Sequence, residues 1–290
     1  MLHLVAQMVG KTRLALAPPQ PNWLHACLFL DSRGFTTGAM PYGGGVVTIG
    51  IDVHDSSIGI EVSDGRRAMI QLGRGRSVAE VWTDFTAALA ELGIHVKFSD
   101  KPQEIADATP FSTNTYDCTF VPEEAQRFHR LLCAIDGAFE EFRSSFYGRS
   151  GVQFWWGSFT FCVLLFSGRR IPAPDDGGLI RRHDLDAEQM NAGFWPGDES
   201  TPDPIFFAYL VPQPSDSQVA PMLPAGATWS DALGERVLPY DAIRAVEDPA
   251  RAITQFLESV YRVAVTPGGW DEASLRHEPP GKRKDREPRT

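Results

Sequence analysis

The sequence predicts an α+β fold, mostly antiparallel sheet with packed amphipathic helices. Three observations carry this. Strand-like segments come in runs rather than alternating singly with helices. Residues 47–72 hold three period-two stretches joined by turn signals. Phe128, Leu131, Leu132, Ile135, Phe139, Phe142 and Phe146 recur at helical steps after Pro122. With 290 residues, 43% hydrophobic and 22% charged, the chain suits one large or two modest folded units and excludes wholesale disorder.

In chain order, Leu2 to Ala17 reads as a helix stopped by Pro18-Pro19. Leu24 to Asp31 alternates as a strand. Val47, Ile49, Ile51 and Val53 point inward from a second strand, and Ile58 to Val62 repeats the pattern. Asp64-Gly65 turns the chain into Ala68, Ile70 and Leu72, completing a meander. Ser77 and Glu80 have capping-box spacing, so a helix begins there and closes at Gly93. A short strand is expected over Ile94 to Phe98, then a polar loop to Val121. Val152 to Phe166 reads as extended, as one long or bent strand or two short ones, Ile205 to Val211 as a strand, and Val237-Leu238 as a candidate for a further one. Asp248-Pro249 opens a last helix with Ile253, Phe256, Leu257, Val260 and Tyr261 on its apolar face. The expectation is one integrated unit over 1–276. Its order also permits two helix–sheet–helix halves, 1–100 and 121–276, without a residue-level repeat to support them.

The formal charge is −10. The last fourteen residues hold five bases and three acids, which leaves −12 on the rest. An acidic body repels phosphate backbones, so no nucleic-acid partner is expected. The stretch 277–290 reads as a disordered tail. Gly151 to Gly168 is uncharged, but its polar and aromatic residues suit buried strands, so no membrane partner is expected. Four single cysteines and no leader-like start point to a cytoplasmic chain with reduced thiols.

The sequence has no phosphate loop, dinucleotide fingerprint, zincin motif or nucleophile elbow. The richest stretch is 152–166. If it runs as a strand, Trp155, Gly157, Phe159 and Phe161 face the core, while Phe154, Trp156, Ser158, Thr160 and Cys162 share the other face. Aromatic walls with a few placed hydroxyls suit a small-molecule pocket. A strand whose small residues admit a close helix explains the pattern equally well. Ala192 to Gly197 reads as a rigid loop whose Trp195 could wall the pocket or plug an apolar edge. His129, Cys133, Asp136 and Glu140 have metal-compatible helical spacing, but their stripe fits a solvated flank better. His25 and Cys27 share one strand face, with an ordinary buried histidine the blander reading. Arg169 is a candidate for an anionic group.

Leu2-His3, Arg13 to Pro19, Arg33 to Thr37, Pro41-Tyr42-Gly43, Phe154 to Phe159, Phe166 to Arg170, Ala192 to Gly197 and Leu238 to Asp241 together resemble an uncharacterised bacterial family, a domain of unknown function. The resemblance runs through nearly the whole chain before the tail and implies no reaction. It implies a histidine at the position of Gln153, an aspartate at Thr160 and a second histidine at Ala187, beside the retained Glu188. With all three replaced, no metal and no cofactor is expected.

The reading is therefore a cytosolic small-molecule enzyme, with a pocket walled by Phe154, Trp156 and Trp195. Ser158, Thr160, Gln153 and Arg169 would orient the ligand, and His25, Tyr42 or Glu188 would transfer protons in a cyclisation, isomerisation, elimination or hydrolysis. The alternative is a binding protein without turnover, which needs no titratable group beside the pocket.

Overall fold

A computed structural model describes residues 1–116, 119–174, 178–215 and 217–277. The expectations for Cys118 and for 278–290 lie outside them. The fold is α+β, with two antiparallel sheets and packed helices. Helix α1 (Leu2–Leu16) leads into a meander of β1 (Phe29–Leu30), β2 (Gly34–Thr36), β3 (Met40–Tyr42), β4 (Gly45–Asp52), β5 (Ser57–Val62) and β6 (Arg67–Gln71). This first sheet runs β1-β2-β4-β5-β6, with β3 also on β4. It buries one face: Val47, Ile49, Ile51, Ile58, Ile60 and Ile70 are inside, while Val46, Glu61 and Met69 face solvent. Helix α2 (Val78–Glu91) starts at the expected capping box and stops at left-handed Gly93.

Helix α3 (Pro122–Ser144) precedes the second sheet, made of β7 (Gln153–Trp155), β8 (Thr160–Arg170), β9 (Ala187–Trp195), β10 (Ile205–Val211), β11 (Thr228–Ser230) and β12 (Glu235–Pro239). Its order is β11-β12-β10-β9-β8-β7. The short helices α4 (Gly178–Asp184) and α5 (Tyr240–Arg244), the long α6 (Pro249–Val265) and the short α7 (Glu272–Leu275) complete the chain. Leu28 and Phe154 exchange backbone hydrogen bonds of 2.9 and 2.8 Å and join the sheets at β1 and β7. The apolar core runs without a break from Leu4 to Leu275.

Five expectations are corrected. The strand over Leu24 to Asp31 shrinks to Phe29–Leu30, because 21–26 is wound into turns, with Leu24 N–H bonded to Pro21 O and Ala26 N–H to Trp23 O. Ile94 to Phe98 forms no strand: no partner strand lies beside it, and it packs on Trp82 instead. Ala192 to Trp195 is not a loop but the end of a central strand, flanked by β8 and β10. Residues 152–166 take the two-strand form, a hairpin with 156–159 as the turn, and what is corrected is the single alternation drawn across them. His277, read as the first residue of the tail, is docked: its N–H bonds to Ser145 O at 2.7 Å. Among the described residues, no helix is long and apolar enough to cross a membrane.

Candidate functional site

The turn 156–159 sits between two depressions. On one side is a cavity of about 260 Å³ walled by Trp23, Trp155 and Trp156, with Leu14, Ala26, Gln103, Glu104, Gly157, Ser158 and Ile180. On the other is a broader crevice of about 640 Å³ that takes in His3, Phe128, Phe159, Phe194, Pro196 and Tyr240. A groove of about 750 Å³ along α6 is larger than either. Asp248, Arg251, Glu258 and Arg262 line it, and it brings no aromatic ring to a polar centre.

Each tryptophan of the cavity is fixed by the chain around it. Trp156 Nε1 donates to Ala26 O at 2.7 Å, and Gly10 of α1 lies so close to the indole that a Cβ there would collide with it. Trp23 Nε1 donates to Ile180 O at 2.9 Å, and the His25 ring stacks on it at 5.7 Å. Trp155 lies opposite Thr160 in the hairpin, and its buried Nε1 has no partner. Asn22 anchors the turn before Trp23: its Nδ2 donates to Asp184 O at 2.7 Å and to Gln189 Oε1 at 3.0 Å.

Glu104 is the cavity's carboxylate. Gln7 of α1 holds its loop by exchanging two 2.7 Å hydrogen bonds with the Gln103 backbone. Glu104 as a whole is solvent-exposed, but its carboxylate lies along Gly157, with Oε1 2.6 Å from where a Cβ would stand. Any larger residue at 157 would displace it. Loss of hydration raises the Glu104 pKa above the ordinary glutamate value. Among the described residues the carboxylate makes no ion pair and no hydrogen bond. Asp184 is pushed up to about 6, by burial first and then by Asp186 and Glu104. Asp184 and Glu104 are thus close enough to sense each other's charge.

The backbone is unusual here. Five non-glycine residues among those described have positive φ: Asn22, Trp23, Ser56, Glu104 and Phe159, at 50–61°. Ser56 sits in a hairpin of the first sheet. Of the other four, Trp23 and Glu104 line the cavity, Asn22 precedes Trp23, and Phe159 lines the crevice across the turn. A left-handed tryptophan, glutamate or phenylalanine costs on the order of 1–3 kcal/mol, and such strain gathers where a side chain must be aimed.

Of the residues singled out from sequence, Trp156 and Ser158 line the cavity. Thr160 stands behind them, its Oγ1 2.8 Å from Ser158 Oγ. The others are elsewhere. Phe154 is fully buried against Phe35, Phe128 and Phe159, a core residue rather than a wall. Trp195 packs with Ile205 and Phe207 on the second sheet. Gln153 is buried with its Oε1 unpaired. His25 accepts the Gln20 N–H at Nδ1, and burial lowers its pKa, so it supports Trp23 as a neutral ring. Tyr42 donates to Gly93 O at 2.9 Å and accepts from His95 N at 2.7 Å, a strap between β3 and the end of α2. Glu188 and Arg169 pair with each other at 2.7 Å, at the far end of β8 and β9 from the turn. Positions 153 and 160 share one face, but Ala187 lies six residues along β9 from the Cys162 partner Gly193, about 20 Å away. The implied trio of family residues therefore does not converge. His129, placed on a solvated flank by its helical stripe, is buried, and its Nε2 lies 2.8 Å from Asp31 O.

Sequence reasoning missed Glu104, Trp23 and the cavity-facing role of Trp155. It also gave no chemistry to His3, whose Nε2 lies 3.0 and 2.9 Å from the carbonyls of Trp156 and Gly157. The same nitrogen also has the Gln7 amide nitrogen 3.2 Å away, so three polar partners meet at His3 Nε2. Burial lowers the His3 pKa, which keeps the ring neutral. Leu2-His3, Phe154 to Phe159 and the ends of the 192–197 and 238–241 segments thus meet around one turn.

The molecule is an α+β protein of two linked antiparallel sheets with a tryptophan-walled cavity beside their junction. The chain belongs to a family of unknown function, DUF5996, whose model matches residues 1–277. No curated protein and no solved structure matches it.

Proposed function

We propose that the cavity between Trp23, Trp155 and Trp156 is a small-molecule site, and that the protein is an enzyme whose acid–base group there is Glu104. The observation that carries this is the pair of left-handed residues that line the cavity. Trp23 and Glu104, both aimed by strained backbone, converge on one space of about 260 Å³. Packing alone gives no reason to hold an unpaired carboxylate among three indoles. A carboxyl with a raised pKa can hold its proton nearer neutrality and deliver it to a bound ligand. Ser158, steadied by Thr160, offers the orienting hydroxyl. Such a site suits isomerisation, elimination, cyclisation or hydrolysis without a metal. His25, Tyr42 and Glu188 give way to Glu104 in this reading, since each is engaged elsewhere.

The test is a ligand-observed NMR screen of small polar metabolites against the wild type and Ser158→Trp, which fills the cavity. Compounds that bind the wild type should be lost in the variant while its melting temperature stays within a few degrees. Equal binding by both proteins would remove the site from this cavity. Turnover of a bound compound should vanish in Glu104→Gln; bound compounds that the wild type never converts would favour a binder without turnover.

A further inference from the structure

Resting on that reading of the cavity, we infer that its ligand is an organic cation, a quaternary or methylated ammonium group held between Trp23 and Trp155 and countered by Glu104. Indole faces attract cations through their negative quadrupole, and the attraction grows where water is excluded. Three indoles around one space exceed what an uncharged ligand of this size needs.

The charge argument is independent of the rings. Among the described residues that line the cavity, Glu104 is the only acid and none is Lys, Arg or His. It makes no ion pair among the described residues, and Asp184 adds negative potential nearby. In its deprotonated form, as the base of the acid–base pair, Glu104 is a carboxylate partly stripped of water and lacking a counter-charge, which a cation with its own apolar surface stabilises. A neutral ligand leaves that charge uncompensated, and an anion worsens it. Lys11 lies behind the cavity wall, its Nζ 5.7 Å from the centroid of Trp156. Its charge is offset by Asp100. Trp156 thus already holds one cation from α1, which assigns the ligand to the other two rings. Of these, Trp23 has His25 stacked at 5.7 Å and His183 edge-on at 6.0 Å, and it still lines the cavity.

The experiment uses choline and its uncharged isostere 3,3-dimethylbutan-1-ol on the full chain at matched ionic strength. Choline should bind at millimolar concentration or below, and its methyl resonance should move upfield, as a group over indole rings must. The isostere should bind about tenfold more weakly. Glu104→Gln should lose about the same factor for choline and leave the isostere unchanged. Equal affinity for the two compounds would overturn the inference while leaving a small-molecule site standing. Failure of choline to bind would also overturn it, and the metabolite screen would then decide separately whether the cavity binds anything. If the variant fails to fold, the wild-type affinities for the two compounds still separate a cation site from a neutral one.

Discussion

The first sheet buries one face and the second buries nearly all of two. In the first, partner residues across the strands, such as Ile49 with Ile60 and Ala68, form one inward layer and the alternate positions are open. In the second, Phe161, Val163, Met190, Phe194 and Phe206 join the main core. The opposite face carries Gln153, Cys162, Gln189, Asn191 and Tyr209, which are also largely buried. A sheet with one wet face needs no polar partners inside. A sheet covered on both sides must satisfy whatever polar groups it encloses, and it does so incompletely: Gln153 Oε1 and Asn191 Oδ1 have no partner. The candidate site lies at the edge of this second, costlier surface.

The largest expected effect separates the sheets by burial. Phe154→Ala should cost about 3–5 kcal/mol in denaturant unfolding, as emptied aromatic core positions do, and Met69→Ala on the open face of the first sheet should stay within about 0.5 kcal/mol. A small loss at Phe154 would return it to the cavity wall. A sharper contrast uses two strand glycines. A Cβ on Gly193 would stand 2.7 Å from Cys162 Sγ and 2.8 Å from Phe207 Cζ, while one on Gly59 would meet nothing within 4 Å. Gly193→Ala should cost about 1–3 kcal/mol, and Gly59→Ala should be neutral or stabilising by up to about 1 kcal/mol. Similar values at both sites would erase the comparison.

A smaller effect is in pH. Burial pushes Glu235 of the second sheet from 4.5 to about 7. Between those values the native state binds more proton than the unfolded chain. This part of the stability is complete below about 4.5 and is lost as the pH rises through about 7. Glu235→Gln should flatten the loss by about 1–2 kcal/mol, read from unfolding midpoints at pH values spanning that range. An unchanged pH profile would mean that Glu235 is hydrated and the second face is wetter than its packing implies.

The same difference decided what the sequence could tell. Val47, Ile49, Ile51 and Val53 alternate because their strand has a wet side, so the meander was legible residue by residue. Val152 to Phe166 misled because both faces of β8 are covered, and the turn inside it is built from Trp156, Gly157, Ser158 and Phe159 instead of the usual polar turn residues. Trp156 and Ser158 belong to the cavity, though not by the alternation that suggested them. Glu104 sits in an aperiodic loop whose path is set by Gln7, about a hundred positions earlier, and no local pattern marks such a contact.

The hydrogen bonds from His3 to Trp156 and Gly157 also set a schedule for synthesis. They close over 153 and 154 positions of chain. At a typical elongation rate of 5–20 residues per second, α1 waits roughly 8–30 s for the turn it packs against to be made. Through that interval Leu4, Val5, Met8 and Val9, all buried in the finished molecule, can already pack on β3 and β4 of the first sheet, the strands α1 touches. The nascent chain can therefore dock α1 on the first sheet early, and only the His3 end of the helix waits for the second half of the chain to be made.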